Sequence, residues 1–186
     1  MRFHLFRRRP QDDSIARLYG AIVAQARVPH FYETFGVPDT IAGRFEMVVL
    51  HLVLVLRWLK TEPDPDQGLG QELFDRFCQD MDDNLREVGV GDLAVPGQMR
   101  GVGAAFYGRQ AAYEAALAGR DDEGLIAALA RNIFGHDAVS RHFGAVQLAN
   151  YVHRTWSDLC PQRSDSARRG GISFPDPDLK CPQRMV

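Results

Sequence analysis

The run MVVLHLVLVL, residues 47–56, is apolar at every position except His51, and Glu46 and Arg57 close it at either end. It falls short of the ~20 residues that a membrane-spanning helix needs. A helix that is apolar all round must be surrounded by other helices. The pattern therefore predicts a buried central helix from about Ile41 to Lys60, at the heart of an all-α bundle. Upstream, Val37-Pro38-Asp39-Thr40 supplies a rigid turn with polar side chains able to cap free backbone N–H groups. Downstream, Pro63 and Pro65 in TEPDPDQG cannot continue a hydrogen-bond ladder and so end the helix.

About six helices are expected in all. Before the central one, Ile15, Leu18, Tyr19, Ile22, Val23 and Ala26 recur at three- and four-residue steps, with Asp12 and Asp13 as candidate caps and Pro29 as the stop. After it, Leu73, Phe74, Phe77, Cys78, Met81, Leu85 and Val88 form an apolar stripe whose opposite face is acidic, ending at Gly89 and Gly91. Between Pro96 and Gly119, Met99, Val102, Phe106, Tyr113 and Leu117 mark a further helix. Its Gly101, Gly103, Ala104, Ala105 and Gly108 are expected to let a neighbouring backbone come close. Asp121, Asp122 and Glu123 favour a helix start leading to Leu125, Leu129 and Phe134. A last helix follows Asp137 and uses Val139, Phe143, Val146, Leu148, Tyr151, Val152, Trp156 and Leu159. Strand alternation is almost absent. The expected organisation is a basic segment 1–11, one helical domain 12–160 and an irregular, extended tail 161–186, in which only Ile172, Ser173 and Phe174 look able to pack.

In 186 residues, 45% apolar and 25% charged, there is room for one sizeable core. A formal net charge of -2 gives no global attraction to nucleic acid. Charge is nonetheless segregated, with Arg7, Arg8 and Arg9 near the start and an acidic group from Glu72 to Asp92. The three cysteines, Cys78, Cys160 and Cys181, form no CxxC pair and read as thiols of a reducing compartment. MRFHLFRRRP is basic but runs straight into polar QDDS, so a cleaved secretory signal is not expected.

The six histidines make no HExxH and no i,i+4 pair, so neither a metal nor a resident cofactor is expected. GVGAAFYG lacks both the third glycine and the preceding strand of a dinucleotide loop. Cys78 sits on an apolar stripe, where a thiol is inert. His51 has two readings: a core histidine with hydrogen-bond partners, or a ligand or base hidden in an apolar site, as a haem- or quinone-handling protein would need.

What stands out is a surface. Asp80, Asp83 and Glu87 form an acidic docking patch on one helix, in the company of Arg86 there and of Arg100, Tyr107, Arg109 and Tyr113 on the next. Arginine and tyrosine dominate binding hot spots, and the short link GVGDLAVPG can bring the two helices side by side. These eight are the expected partner contacts. Alanine at Arg109 and Tyr113 is expected to weaken a partner without unfolding the chain. Arg7, Arg8 and Arg9, beside Phe3, Leu5 and Phe6, suit an anionic membrane or ribosomal surface.

Residues 29–60, PHFYETFGVPDTIAGRFEMVVLHLVLVLRWLK, resemble the opening of the ubiquinol-cytochrome c chaperone family. FCQDMDDNLREVGVGD, AAFYGRQAAYEAAL, GLIAALARNIFG and LANYVHRTW resemble its later blocks in the same order, over residues 12–160 with GGISFP as an outlying match. The resemblance implies an all-helical, non-enzymatic assembly factor for the ubiquinol-cytochrome c reductase of the respiratory chain, whose client is newly made cytochrome b. It implies no small-molecule substrate. Without a long transit peptide the chain resembles the shorter bacterial relatives, which implies a cytoplasmic place, peripheral to the inner membrane.

Overall fold

The computed structural model describes residues 10–61, 67–135, 142–162 and 164–178. The helices are α1 (Pro10–Ala26), α2 (Pro29–Glu33), α3 (Ile41–Thr61), α4 (Gln67–Glu87), α5 (Val95–Gly119), α6 (Asp122–Leu129), α7 (His142–Leu159) and α8 (Ser164–Arg168), with a π-helical turn, Ala130–Phe134, continuing α6. Among the described residues there is no strand. The all-α fold expected from the sequence is the one observed.

Helix α3 occupies the centre. Glu46 to Leu56 are all buried, and α1, α4, α5, α7 and the π-helical turn pack around it. Thr40 caps it as the turn predicts, its Oγ1 accepting from the Gly43 N–H at 3.1 Å. Asp121 does the same for α6, accepting from the Gly124 N–H at 2.8 Å. Arg57, where the apolar run ends, keeps its guanidinium 4.9 Å over the Trp156 ring of α7. Gly144 sets how near α7 comes: a Cβ there would collide with the Phe35 carbonyl and the Phe134 ring.

Several details depart from expectation. Helix α1 opens at Pro10, a residue favoured at first helical positions, so Asp12 and Asp13 lie inside its first turn and do not cap it. The FYETFG stretch contributes α2, whose Phe31 is fully buried. Helix α4 starts six residues before Leu73, and the insertion of a π-helical turn lets Ile133 and Phe134 both face the core. Val88 and Phe143, read as core, are 68% and 62% exposed, each at or beyond the end of its helix where no neighbour covers it. Asp137, Val139, Pro63 and Pro65 lie outside the described residues.

The largest departure is the tail. Residues 164–168 are helical, Ala167 is fully buried, and Phe174, Pro175 and Pro177 return to the bundle. The packed body thus reaches at least Asp178, beyond a boundary at 160.

His51, fully buried, is satisfied at both nitrogens. A carbonyl can only accept, so Nδ1 carries the proton and donates to the Met47 carbonyl at 2.7 Å. Nε2 then accepts from the Tyr151 hydroxyl at 2.8 Å, and that hydroxyl oxygen accepts from Gln25 Nε2 at 3.0 Å. With both ring nitrogens engaged, no lone pair remains for a haem iron. Burial pushes the imidazole down to about 4, against a partial opposing effect of the Met47 bond.

The unfolded chain therefore takes up this proton first as the medium is acidified. Stability from His51 is complete above its ordinary value near 6.5 and falls as pH drops from there towards 4. Urea unfolding is expected to show a loss of about 2 kcal/mol from this group between roughly pH 7.5 and 5. The pH slope of His51→Gln should be shallower by that amount; equal slopes would refute the assignment.

Candidate functional site

Helices α4 and α5 run antiparallel, joined by residues 88–94, and aromatic contacts hold them together. Phe74 stands 4.8 Å from Phe106 and 5.8 Å from Tyr107, ring centre to ring centre, and Phe77 stands 5.8 Å from Phe106. At 1.5 Å rise per residue the outer surface from Phe74 to Glu87 is about 20 Å long.

The structure sorts the eight expected contacts into two groups. Asp83, Arg86, Glu87, Arg100 and Tyr107 are exposed on this surface. Arg86 is braced at the tip: its Nε donates to Asp82 at 2.7 Å, one turn back, and its Nη1 donates to Asp92 in the link. The two carboxylates raise the guanidinium above its ordinary value, the hydrogen bond to Asp82 most of all. Asp83 accepts from Gln79 at 3.2 Å.

The other three face inward. Asp80 accepts from the Tyr19 hydroxyl of α1 at 2.9 Å. Burial raises the Tyr19 phenol, and Asp80 adds to it. Arg109 forms a two-pronged pair with Glu46 of α3, Nε to Oε2 at 3.0 Å and Nη2 to Oε1 at 2.6 Å. Tyr113 is fully buried, with its hydroxyl accepting from Asn132 at 3.3 Å. Tyr113 is therefore corrected from surface contact to core residue. The signal was present in the sequence: Phe106, Arg109, Tyr113 and Ala116 fall on one face of α5 at three- and four-residue steps.

Other surface features escaped the sequence reading. Leu93 is 100% exposed in the link, Val88 is exposed at its start, and Tyr107 is 59% exposed on α5. The outer face of α5 carries Gly97, Gly101, Ala104, Gly108, Ala111 and Ala115, all exposed. A Cβ added at Gly101, Gly103 or Gly108 meets nothing within 4 Å. These glycines admit no neighbouring backbone of this chain, contrary to expectation, although each lowers helix propensity by ~1 kcal/mol.

Cys78 is half-buried, and burial raises its thiol, with Asp75 adding to the shift. Cys160 is exposed; Cys181, like Arg7, Arg8 and Arg9, lies outside the described residues. Among the described residues no three His, Cys, Asp or Glu side chains converge to hold a metal, and no helix is long and apolar enough to cross a membrane.

Residues 33–174 match the family described as ubiquinol-cytochrome C chaperone. A solved structure, that of the Cbp3 homolog from Brucella abortus, is similar at a TM-score of 0.81 and 40% identity, covering 91% of this chain and 92% of that one. No curated protein matches.

Removing Arg109 leaves Glu46 buried and unpaired, so Arg109→Ala should destabilise by about 2 kcal/mol once the partial exposure of the arginine is allowed for. Glu46→Gln combined with Arg109→Ala should cost less than Arg109→Ala alone. A double-mutant cycle in urea checks this, and strictly additive losses would show that the pair is not coupled.

Proposed function

The chain belongs to the ubiquinol-cytochrome c chaperone family, and from that premise we propose that it acts by binding alone, holding newly made cytochrome b during assembly of the ubiquinol-cytochrome c reductase complex. The observation that carries the reading is the family match over residues 33–174. The α4–α5 surface is the proposed grip, with Asp83, Arg86, Glu87, Arg100 and Tyr107 as contacts. Val88 and Leu93 are added to them; Tyr113 is withdrawn, and Arg109 and Asp80 act as internal braces.

Physical complementarity supports that choice. A membrane protein not yet assembled exposes apolar helices flanked by Lys- and Arg-rich segments. The outer side of α4 offers Asp75, Asp83 and Glu87 to such basic flanks, and Asp92 extends the acidic surface at the tip. The small-residue face of α5 lets a client helix lie close, as small residues do between membrane helices. The exposed Val88, Leu93 and Tyr107 supply apolar contact. Holding a client in this way requires no bond to be made or broken. A client inserted in the inner membrane places the chaperone at that membrane's surface, and Arg7, Arg8 and Arg9 are the proposed electrostatic contact with its anionic lipids.

Two variants test the surface. Val88→Asp with Leu93→Asp places charge where apolar contact is proposed. Gly101→Leu with Gly108→Leu fills open space, and should leave folding intact or slightly improved. Both should weaken cytochrome b capture from mild-detergent extracts by about 1 to 4 kcal/mol in total. Undiminished capture by both would remove this surface from the account.

A further inference from the structure

After α8 the chain turns at Gly170, whose φ of 76° and tight seat against Ser14 and Arg17 of α1 leave no room for a side chain. Residues 171–176 have no regular secondary structure and, with the turn at 177–178, lie against α1 and α7 as a strap. Side chains of the body hold its main chain. Gln162 reads Ser173 twice, its Oε1 accepting from the Ser173 N–H at 3.0 Å and its Nε2 donating to the Ser173 carbonyl at 2.8 Å. Gln25 donates to the Pro175 carbonyl at 3.1 Å and Arg154 to the Pro177 carbonyl at 3.4 Å. Phe174 meets the His51 ring edge-on at 5.5 Å, and Pro175 and Pro177 are buried.

Two of the three anchors, Gln25 and Gln162, have partners besides the strap. Gln25 is fixed by Tyr151, itself fixed by His51, and Gln162 also donates to the Asp158 carbonyl at 2.9 Å. A groove that addresses carbonyls, takes one N–H and needs none where the prolines sit is organised for an extended, proline-containing chain. The current occupant fits incompletely: Arg154 Nε and Nη1 are buried with no acceptor among the described residues.

The geometry points to a peptide-binding groove that the chain's own residues 171–178 occupy in cis, and that receives an extended aromatic–Pro–x–Pro segment of another polypeptide when the strap lifts. The strap is the part placed to lift. Its bonds come from separated side chains and not from a ladder, and Ser173, Asp176 and Asp178 face solvent, so it opens at lower cost than the bundle. This groove lies apart from the α4–α5 surface and does not rest on the function proposed for it.

The test uses a labelled synthetic peptide with the sequence of residues 171–178, followed by fluorescence polarisation. Phe174→Ser, Pro175→Ser and Pro177→Ser together weaken the strap and leave Gln25, Arg154 and Gln162 untouched. That variant should bind the peptide at least about ten-fold more tightly than the unaltered chain, whose groove is filled. Adding Gln162→Ala should reduce the gain several-fold. A folded triple variant that binds no better than the unaltered chain would overturn the proposal. Should the triple variant fail to fold, native-state hydrogen exchange on the unaltered chain decides. The Ser173 amide should exchange through an opening well below global unfolding, and exchange only with α3 would overturn the proposal equally.

Discussion

Burial of α3 on all its sides is the constraint from which the architecture follows. An apolar helix with no wet face needs neighbours all round it, and α1, α4, α5, α7 and the π-helical turn supply them. Each neighbour then has one face committed inward and one free. Most polar groups that α3 carries into the interior have partners: His51 between Met47 and Tyr151, Glu46 on the fork of Arg109, and Arg57 over Trp156, while Arg57 Nε and the Trp58 indole N–H are buried with no acceptor among the described residues. Buried groups matched in this way hold the neighbouring helices in register.

The outer faces divide the labour. The α4–α5 side keeps large apolar groups, carboxylates and a row of small residues in solvent, where they contribute little to folding. A glycine-bearing helix that tolerates its own low propensity, with nothing among the described residues using the space, is consistent with a surface kept open for a partner. Over α1 and α7 the strap covers the body, held by Gln25 and Arg154.

The central helix was legible because a run apolar at every position but one, too short to span a membrane, has to be surrounded by other helices. The cap at Thr40 was legible because a short polar side chain before an apolar run has a local mechanism. Asp121 was legible only as a charge at a helix start, and its cap emerges from the structure. The tail was not legible. Its anchors, Gln25 and Arg154, belong to helices far away in sequence, and a text rich in glycine and proline carries no period from which packing could be read. Tyr113 was misread through its company: beside Arg109 it looked like an interface residue, whereas its spacing from Phe106 placed it inside. Leu93 was missed because a lone leucine in a glycine-rich link says nothing about exposure. Family resemblance supplied the client, which no pattern of residues in this chain could have named.

The central claim is that the α4–α5 surface holds newly made cytochrome b. Site-specific photocrosslinking during synthesis of the client tests it most directly, with the photoreactive group placed at Ala104 of α5 or, as the control, at exposed Glu33 of α2. The account predicts an adduct with cytochrome b from Ala104 that is absent from Glu33. An adduct from Glu33 alone, or from neither position while the client still co-purifies, would contradict it.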